Sequence, residues 1–164
     1  MTFQNMKQYN ILFLCTHNSA RSVLGEALAT MHPSGLFKGY SAGSTPGTKI
    51  NPFAAEIASE LGMDVSLLQS KSWDVFSEPH APQMDFIITV CDNAAGEVCP
   101  YWPGKPATAH WGFPDPSQVQ GSDLEKRTAF RAVMNGLKKR LDLLASMPLD
   151  KLDSMSLKEI HTRS

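Results

Sequence analysis

The sequence predicts an α/β domain in which a parallel sheet is flanked by helices. Three observations lead there. Short apolar runs alternate with segments of helical periodicity along the 164 residues, the pattern of strand–helix–strand units. The run Asp85-Phe86-Ile87-Ile88-Thr89-Val90 is apolar and β-branched, as a strand buried on both faces should be. Two cysteines, Cys15 and Cys91, stand directly after such runs, where the carboxyl ends of neighbouring parallel strands open onto one crevice.

In chain order, 9–14 reads as the first strand, 22–31 as a helix, 37–42 as the second strand and 52–61 as a second helix. A mixed stretch containing Ser72-Trp73-Asp74-Val75-Phe76 leads to the third strand at 85–90. A short strand is expected at 107–110, after the Pro/Gly-rich stretch 100–106. The long helix spans 122–146. In it Leu124, Phe130, Val133, Met134, Leu137, Leu141 and Leu144 recur at helical spacing, and Lys126, Arg127, Lys138 and Lys139 occupy a solvated face. The tail, 149–164, either docks as a short helix or frays. Nothing divides the chain, so 1–164 is expected to be one domain, acting as a monomer.

Fifteen basic and sixteen acidic residues give a formal charge of −1, which lacks the electrostatic footprint of a nucleic-acid binder. The first nine residues carry no apolar core or cleavage site, and no segment is apolar enough to span a bilayer. A cytoplasmic protein is expected. Three cysteines are too few for a disulfide scaffold and direct attention to chemistry instead.

That chemistry centres on Cys15-Thr16-His17-Asn18-Ser19-Ala20-Arg21-Ser22, a loop between a strand and a helix. Backbone amides lining such a loop, the helix N-terminus and the Arg21 guanidinium all favour negative charge, so the segment is an anion cradle. The same field is expected to hold Cys15 as a thiolate, below its ordinary value of about 8.5. Thr16, His17, Asn18, Ser19, Ala20, Arg21 and Ser22 are thus the expected oxyanion-binding residues. The Asn18 amide can brace the loop and Ser22 can donate toward the thiolate, while His17 is expected to be an exposed residue that tolerates unusual backbone angles. A buried strand-end cysteine with an unrelated arginine is the bland alternative.

Asp115 lies in Gly112-Phe113-Pro114-Asp115-Pro116, a stiff loop able to hang a carboxyl over a neighbouring site. Expulsion of an oxygen leaving group needs a proton donor opposite the nucleophile, and burial near an anion would keep Asp115 protonated for that role. Taken alone it would be a turn residue before proline. Cys91 and Cys99 bracket seven residues. If Cys15 became oxidised, Cys91 could attack its sulfur and Cys99 could then attack Cys91; otherwise Cys91 is strand core and Cys99 an incidental thiol. A zinc site from the cysteines and His110 lacks any Cys-x-x-Cys pair, so no metal is expected.

These residues resemble the low-molecular-weight tyrosine phosphatase superfamily, and within it the phosphatase-like arsenate reductases. The likeness covers most of the chain. Cys15 to Ser22 resembles the phosphate loop and Asp115-Pro116 the acid loop; Ile88-Thr89-Val90-Cys91-Asp92, Cys99-Pro100 and Ala109-His110-Trp111-Gly112 resemble stretches particular to the reductases. Phosphatases usually carry tyrosines after Asp-Pro, where this chain has Ser117-Gln118. Many relatives have glycine at the position of His17, and several have cysteine at that of Ala20.

The resemblance implies a single three-layer domain with a four-stranded parallel sheet. It implies that Cys15 attacks arsenate held by Arg21 and the loop amides, and that Asp115 protonates the departing oxygen. Cys91 then attacks Cys15 to release arsenite, and Cys99 carries the oxidation outward as a Cys91–Cys99 disulfide. The implied reductant is external, either thioredoxin or glutathione with glutaredoxin, and no cofactor is bound. The competing readings are a tyrosine phosphatase or small phosphomonoesterase using Cys15, Arg21 and Asp115, and a non-enzymatic redox or oxyanion sensor.

Overall fold

Four strands, β1 (Tyr9–Cys15), β2 (Phe37–Gly43), β3 (Phe86–Thr89) and β4 (Ala107–His110), lie side by side in the order β2-β1-β3-β4. Every pair is parallel. The computed structural model describes residues 7–47, 49–91, 106–149 and 152–163. The helices are α1 (Arg21–Thr30), α2 (Pro52–Glu60), α3 (Asp123–Ala145) and α4 (Ser154–Arg163). All these elements lie within a residue or two of the expected bounds, and the tail resolves into the docked helix α4.

β1 and β3 are central, and their apolar, unalternating sequences follow from that: Ile11, Leu12, Phe13, Leu14 and Ile88 are fully buried. Ile11, Phe13 and Ile88 face a core built with all four helices. Leu12, Leu14 and Ile87 face a smaller one closed by Trp73 and Phe76 of a 3-10 segment, Trp73–Ser77. That segment and two shorter 3-10 turns, Val65–Leu67 and Pro116–Gln118, were not foreseen. Their side-chain caps, Asp64, Ser72 and Asp115, are read correctly only once the turn is seen.

Helix α3 begins at a capping box, Ser122 with Glu125, and buries Phe130, Val133, Leu137, Leu141 and Leu144. Leu124, placed on that stripe by spacing, is 72% exposed. Six residues before Phe130 it falls about 120° around the helix from the buried line, at about 100° per residue. The expected solvated face is also partly engaged, since Arg127 pairs with Glu56 of α2 at 2.9 Å and lies over Phe53.

The register fixes where chemistry can occur. Cys15 is level with Gly43, Leu14 with Thr89, and Thr89 with His110. The carboxyl ends of all four strands therefore form one edge, with Cys15 and Cys91 both on it.

Candidate active site

The segment after β1 is held open by its carbonyls. Thr16 O accepts from Thr45 N at 2.8 Å, His17 O from Gly47 N at 3.0 Å and Ser70 Oγ at 2.9 Å, and Ser19 O from Asn51 N at 2.9 Å. In a trans peptide the N–H points opposite to the C=O. Drawing these three carbonyls outward therefore turns the amides of His17, Asn18 and Ala20 into the loop, beside the N-terminus of α1. Amides gathered in this way beside a helix N-terminus are what an anion cradle requires.

Two small features make the curl possible. Asn18 takes φ +50°, a left-handed conformation that asparagine tolerates better than most residues. The strained angle thus falls on Asn18, not on His17 as expected. His17 Nδ1 instead donates to Thr45 O at 3.1 Å. Asn18 is fully buried; its Nδ2 donates to Ser22 Oγ at 2.9 Å and its Oδ1 accepts from Lys71 N at 2.9 Å. Gly43 supplies the space, because a Cβ there would fall 2.5 Å from Thr16 O.

Lys71 also anchors a charged cluster behind the cradle. Its Nζ donates to Ser41 O at 3.1 Å and lies 3.9 Å from Glu26, which accepts from Ser41 Oγ. Burial pushes the Glu26 carboxyl up and the Lys71 ammonium down, and each charge partly offsets the other's penalty.

Arg21, only 13% exposed at its side chain, reaches across the mouth to the loop after β4. Nη1 donates to Phe113 O at 2.8 Å and Nη2 lies 3.5 Å from Asp115 Oδ2. Its Nε is buried with no acceptor among the described residues. A buried donor without a partner is costly, and an oxyanion in the cradle is the natural acceptor.

With only protein groups around it, Asp115 is held ionised. Burial raises its pKa, but hydrogen bonds from Ser117 N (2.9 Å) and Oγ (2.6 Å), the Arg21 charge and Gln118 outweigh it, so the carboxyl sits below its ordinary value. Asp115 caps the 3-10 turn and serves as Arg21's counter-ion.

The thiolate expectation for Cys15 is overturned. The hydrogen bond that the Cys15 thiol donates to Cys91 Sγ, then burial, push the Cys15 thiol up, against the opposing influence of Arg21 and the Thr16 amide. Sequence could not show that the two thiols touch. Cys91 is 3% exposed, and its Sγ accepts from Thr16 N at 3.2 Å and lies 3.5 Å from Thr16 Oγ1.

Cys15, Cys91, Arg21, Asp115 and the cradle residues thus converge at one edge of the sheet. Cys99, the remaining candidate, lies outside the described residues, as does the whole stretch joining it to Cys91. Sequence reasoning missed the outer ring: Thr45, Gly47, Asn51, Ser70 and Lys71 tie the loop through long-range contacts that leave no local pattern. Only Gly43, closing an apolar strand, offered a signal.

The family model described as low molecular weight phosphotyrosine protein phosphatase matches residues 10–156. An arsenate reductase of Halalkalibacterium halodurans is 34% identical over 140 residues, covering 85% of this chain and 97% of that protein. The arsenate reductase of Bacillus subtilis is 35% identical over 136 residues, 83% of this chain and 94% of its own length. Among solved structures, the arsenate reductase of Archaeoglobus fulgidus superposes with a TM-score of 0.61 at 25% identity, covering 84% of this chain and 99% of that one. A thioredoxin-dependent arsenate reductase of Corynebacterium glutamicum gives a TM-score of 0.59 at 26% identity over 90% of this chain and 65% of its own.

Proposed function

The chain belongs to the low molecular weight phosphotyrosine protein phosphatase family, and from that premise we propose that it is an arsenate reductase of the cytoplasm. The observation that carries this reading is the Cys91 thiol lodged against Cys15 and Thr16 at the mouth of an oxyanion cradle. A phosphatase needs one thiol there. A reductase needs two.

In the proposed reaction the cradle amides and Arg21 bind arsenate. Arrival of the oxyanion draws Arg21 away from Asp115 and brings negative charge close to it, both of which raise the Asp115 pKa toward the protonated form needed for a general acid. The anion also intrudes between the two thiols, so that Cys15, facing the helix N-terminus and Arg21, gives up its proton to an arsenate oxygen and attacks arsenic. Oxygen leaves as water, with Asp115 supplying the proton. Cys91 then attacks Cys15 Sγ; the electron pair of the S–As bond stays on arsenic, which falls from the pentavalent to the trivalent state. Arsenite departs and a Cys15–Cys91 disulfide remains.

Cys99 attacks Cys91 to free Cys15, and an external dithiol of the thioredoxin class reduces the Cys91–Cys99 disulfide. Homologues named arsenate reductase at 34–35% identity over most of their length, and a thioredoxin-dependent structural relative, support this assignment. Because arsenate and phosphate share charge and shape, slow hydrolysis of phosphate esters is expected at the same site. The absence of tyrosines after Asp115-Pro116 removes the aryl sandwich that would make such hydrolysis efficient.

The test is arsenate-dependent NADPH oxidation by the purified protein with thioredoxin and its reductase, beside a glutathione and glutaredoxin arm and a para-nitrophenyl phosphate control. Turnover in the thioredoxin arm is expected. Turnover with glutathione alone reassigns the reductant, and efficient ester hydrolysis with neither arm active makes the protein a phosphatase.

A further inference from the structure

The C-terminal helix touches the site through one aromatic ring. Phe113 is enclosed by groups from α3 and α4. At Gly136 any Cβ would fall 2.6 Å from the ring edge, the Arg140 guanidinium lies 4.6 Å from its centroid, and the His161 imidazole meets it edge-on at 6.3 Å. Arg140 is itself held twice, with Nη1 donating to Gly136 O at 2.8 Å and Nε to His161 Nδ1 at 2.9 Å. A guanidinium can only donate, so His161 Nδ1 is the acceptor and the imidazole is neutral, with its proton on Nε2.

Two residues earlier, Trp111 Nε1 donates to Leu157 O at 3.1 Å, fastening α4 to the same stretch of chain. The main chain of Phe113 is what the site uses. Its amide donates to Val90 O at 3.1 Å, next to Cys91, and its carbonyl accepts from Arg21 Nη1 at 2.8 Å. His110, Gly112, Pro114 and His161 border a cavity of about 430 Å³ beside the ring. Among the described residues, the Phe113 side chain is packed by the clamp and bordered by that cavity.

We propose that His161 is a positioning residue for oxyanion binding: it locks Arg140 over Phe113 and so fixes the carbonyl that aims Arg21 into the cradle. His161 lies beyond residue 156, where the match to the family ends, whereas Arg140 and Phe113 lie within it. The proposal rests on the oxyanion-site reading above.

The test is the affinity of the full chain for inorganic phosphate, with unfolding midpoints measured in parallel. His161→Ala should weaken phosphate binding about fivefold, the effect of one lost hydrogen bond. His161→Asn, whose amide oxygen can accept from Arg140 Nε, should restore most of it. Arg140→Lys keeps the charge but removes the Nε donor, and should repeat the alanine result even if His161→Ala proves too unstable to assay. Wild-type affinity in both the alanine and lysine variants, or equal loss in His161→Ala and His161→Asn, overturns the proposal while leaving the cradle intact. A wild-type protein that binds no phosphate overturns the oxyanion reading and the clamp with it.

Discussion

Among individual residues, the decisive question is which group holds which proton before an anion arrives. Arg21 is shared between the Phe113 carbonyl and Asp115, and Cys15 shares hydrogen bonding with Cys91. Both partnerships pull against the chemistry expected of the isolated residues, since Asp115 is held ionised and Cys15 protonated. In the proposed reaction an oxyanion competes for each of them. For Cys15 the sign is clear. Its folded-state pKa lies above the ordinary thiol value, so it stays protonated through neutral pH, and removing the Cys91 hydrogen bond must lower it. Cys91→Ala should therefore shift the pH profile of Cys15 alkylation by iodoacetamide, read by peptide mass spectrometry, about one pH unit or more toward acid. An unchanged profile would mean that the neighbouring thiol does not govern Cys15.

Secondary-structure elements contribute through close approach. The cradle curls over the end of β2 because Gly43 leaves room for Thr16 and Asn18, whose backbone atoms a Cβ would meet at 2.5 and 3.0 Å. Backbone cannot give way as a flexible side chain can. Gly43→Ala is expected to destabilise the fold by about 1–3 kcal/mol and to weaken phosphate binding more than tenfold, as the amides of His17 and Asn18 lose their inward aim. Retained phosphate affinity in a folded Gly43→Ala protein would show that the curl tolerates a side chain. The long helix α3 was legible at this scale because it buries a continuous stripe, whereas α1 is buried on every face from Ser22 to Ala29; Leu124 shares the spacing of α3's stripe but not its angle around the axis. The 3-10 turns were not legible. They are too short for periodicity, and Trp73 and Phe76 are buried only because the second face of the sheet needs a cover.

For the molecule as a whole, the parallel register converts scattered residues into one site. Cys15, Cys91, Arg21 and Asp115 come from three separate regions of sequence, and their convergence was legible because strand ends share an edge in a parallel sheet. The nucleophile, the arginine and the acid could be named from local pattern. Their protonation states could not, because these depend on contacts across many tens of residues, such as Cys91 against Thr16 or Ser70 and Lys71 against 17–18. The same holds for the brace from α4, which shows only when His161 is seen beside Arg140 and Phe113. Two electrons must leave the Cys15–Cys91 pair for each arsenite made, and that stoichiometry is the core of the functional account. The most direct measurement is a single turnover of Cys99→Ser protein with arsenate and no reductant, with arsenite quantified and disulfides mapped by peptide mass spectrometry. The account predicts about one arsenite per chain and a Cys15–Cys91 disulfide, since each two-electron reduction consumes one thiol pair. It is contradicted if no arsenite forms while the same protein hydrolyses para-nitrophenyl phosphate, or if arsenite forms with Cys91 still open to alkylation.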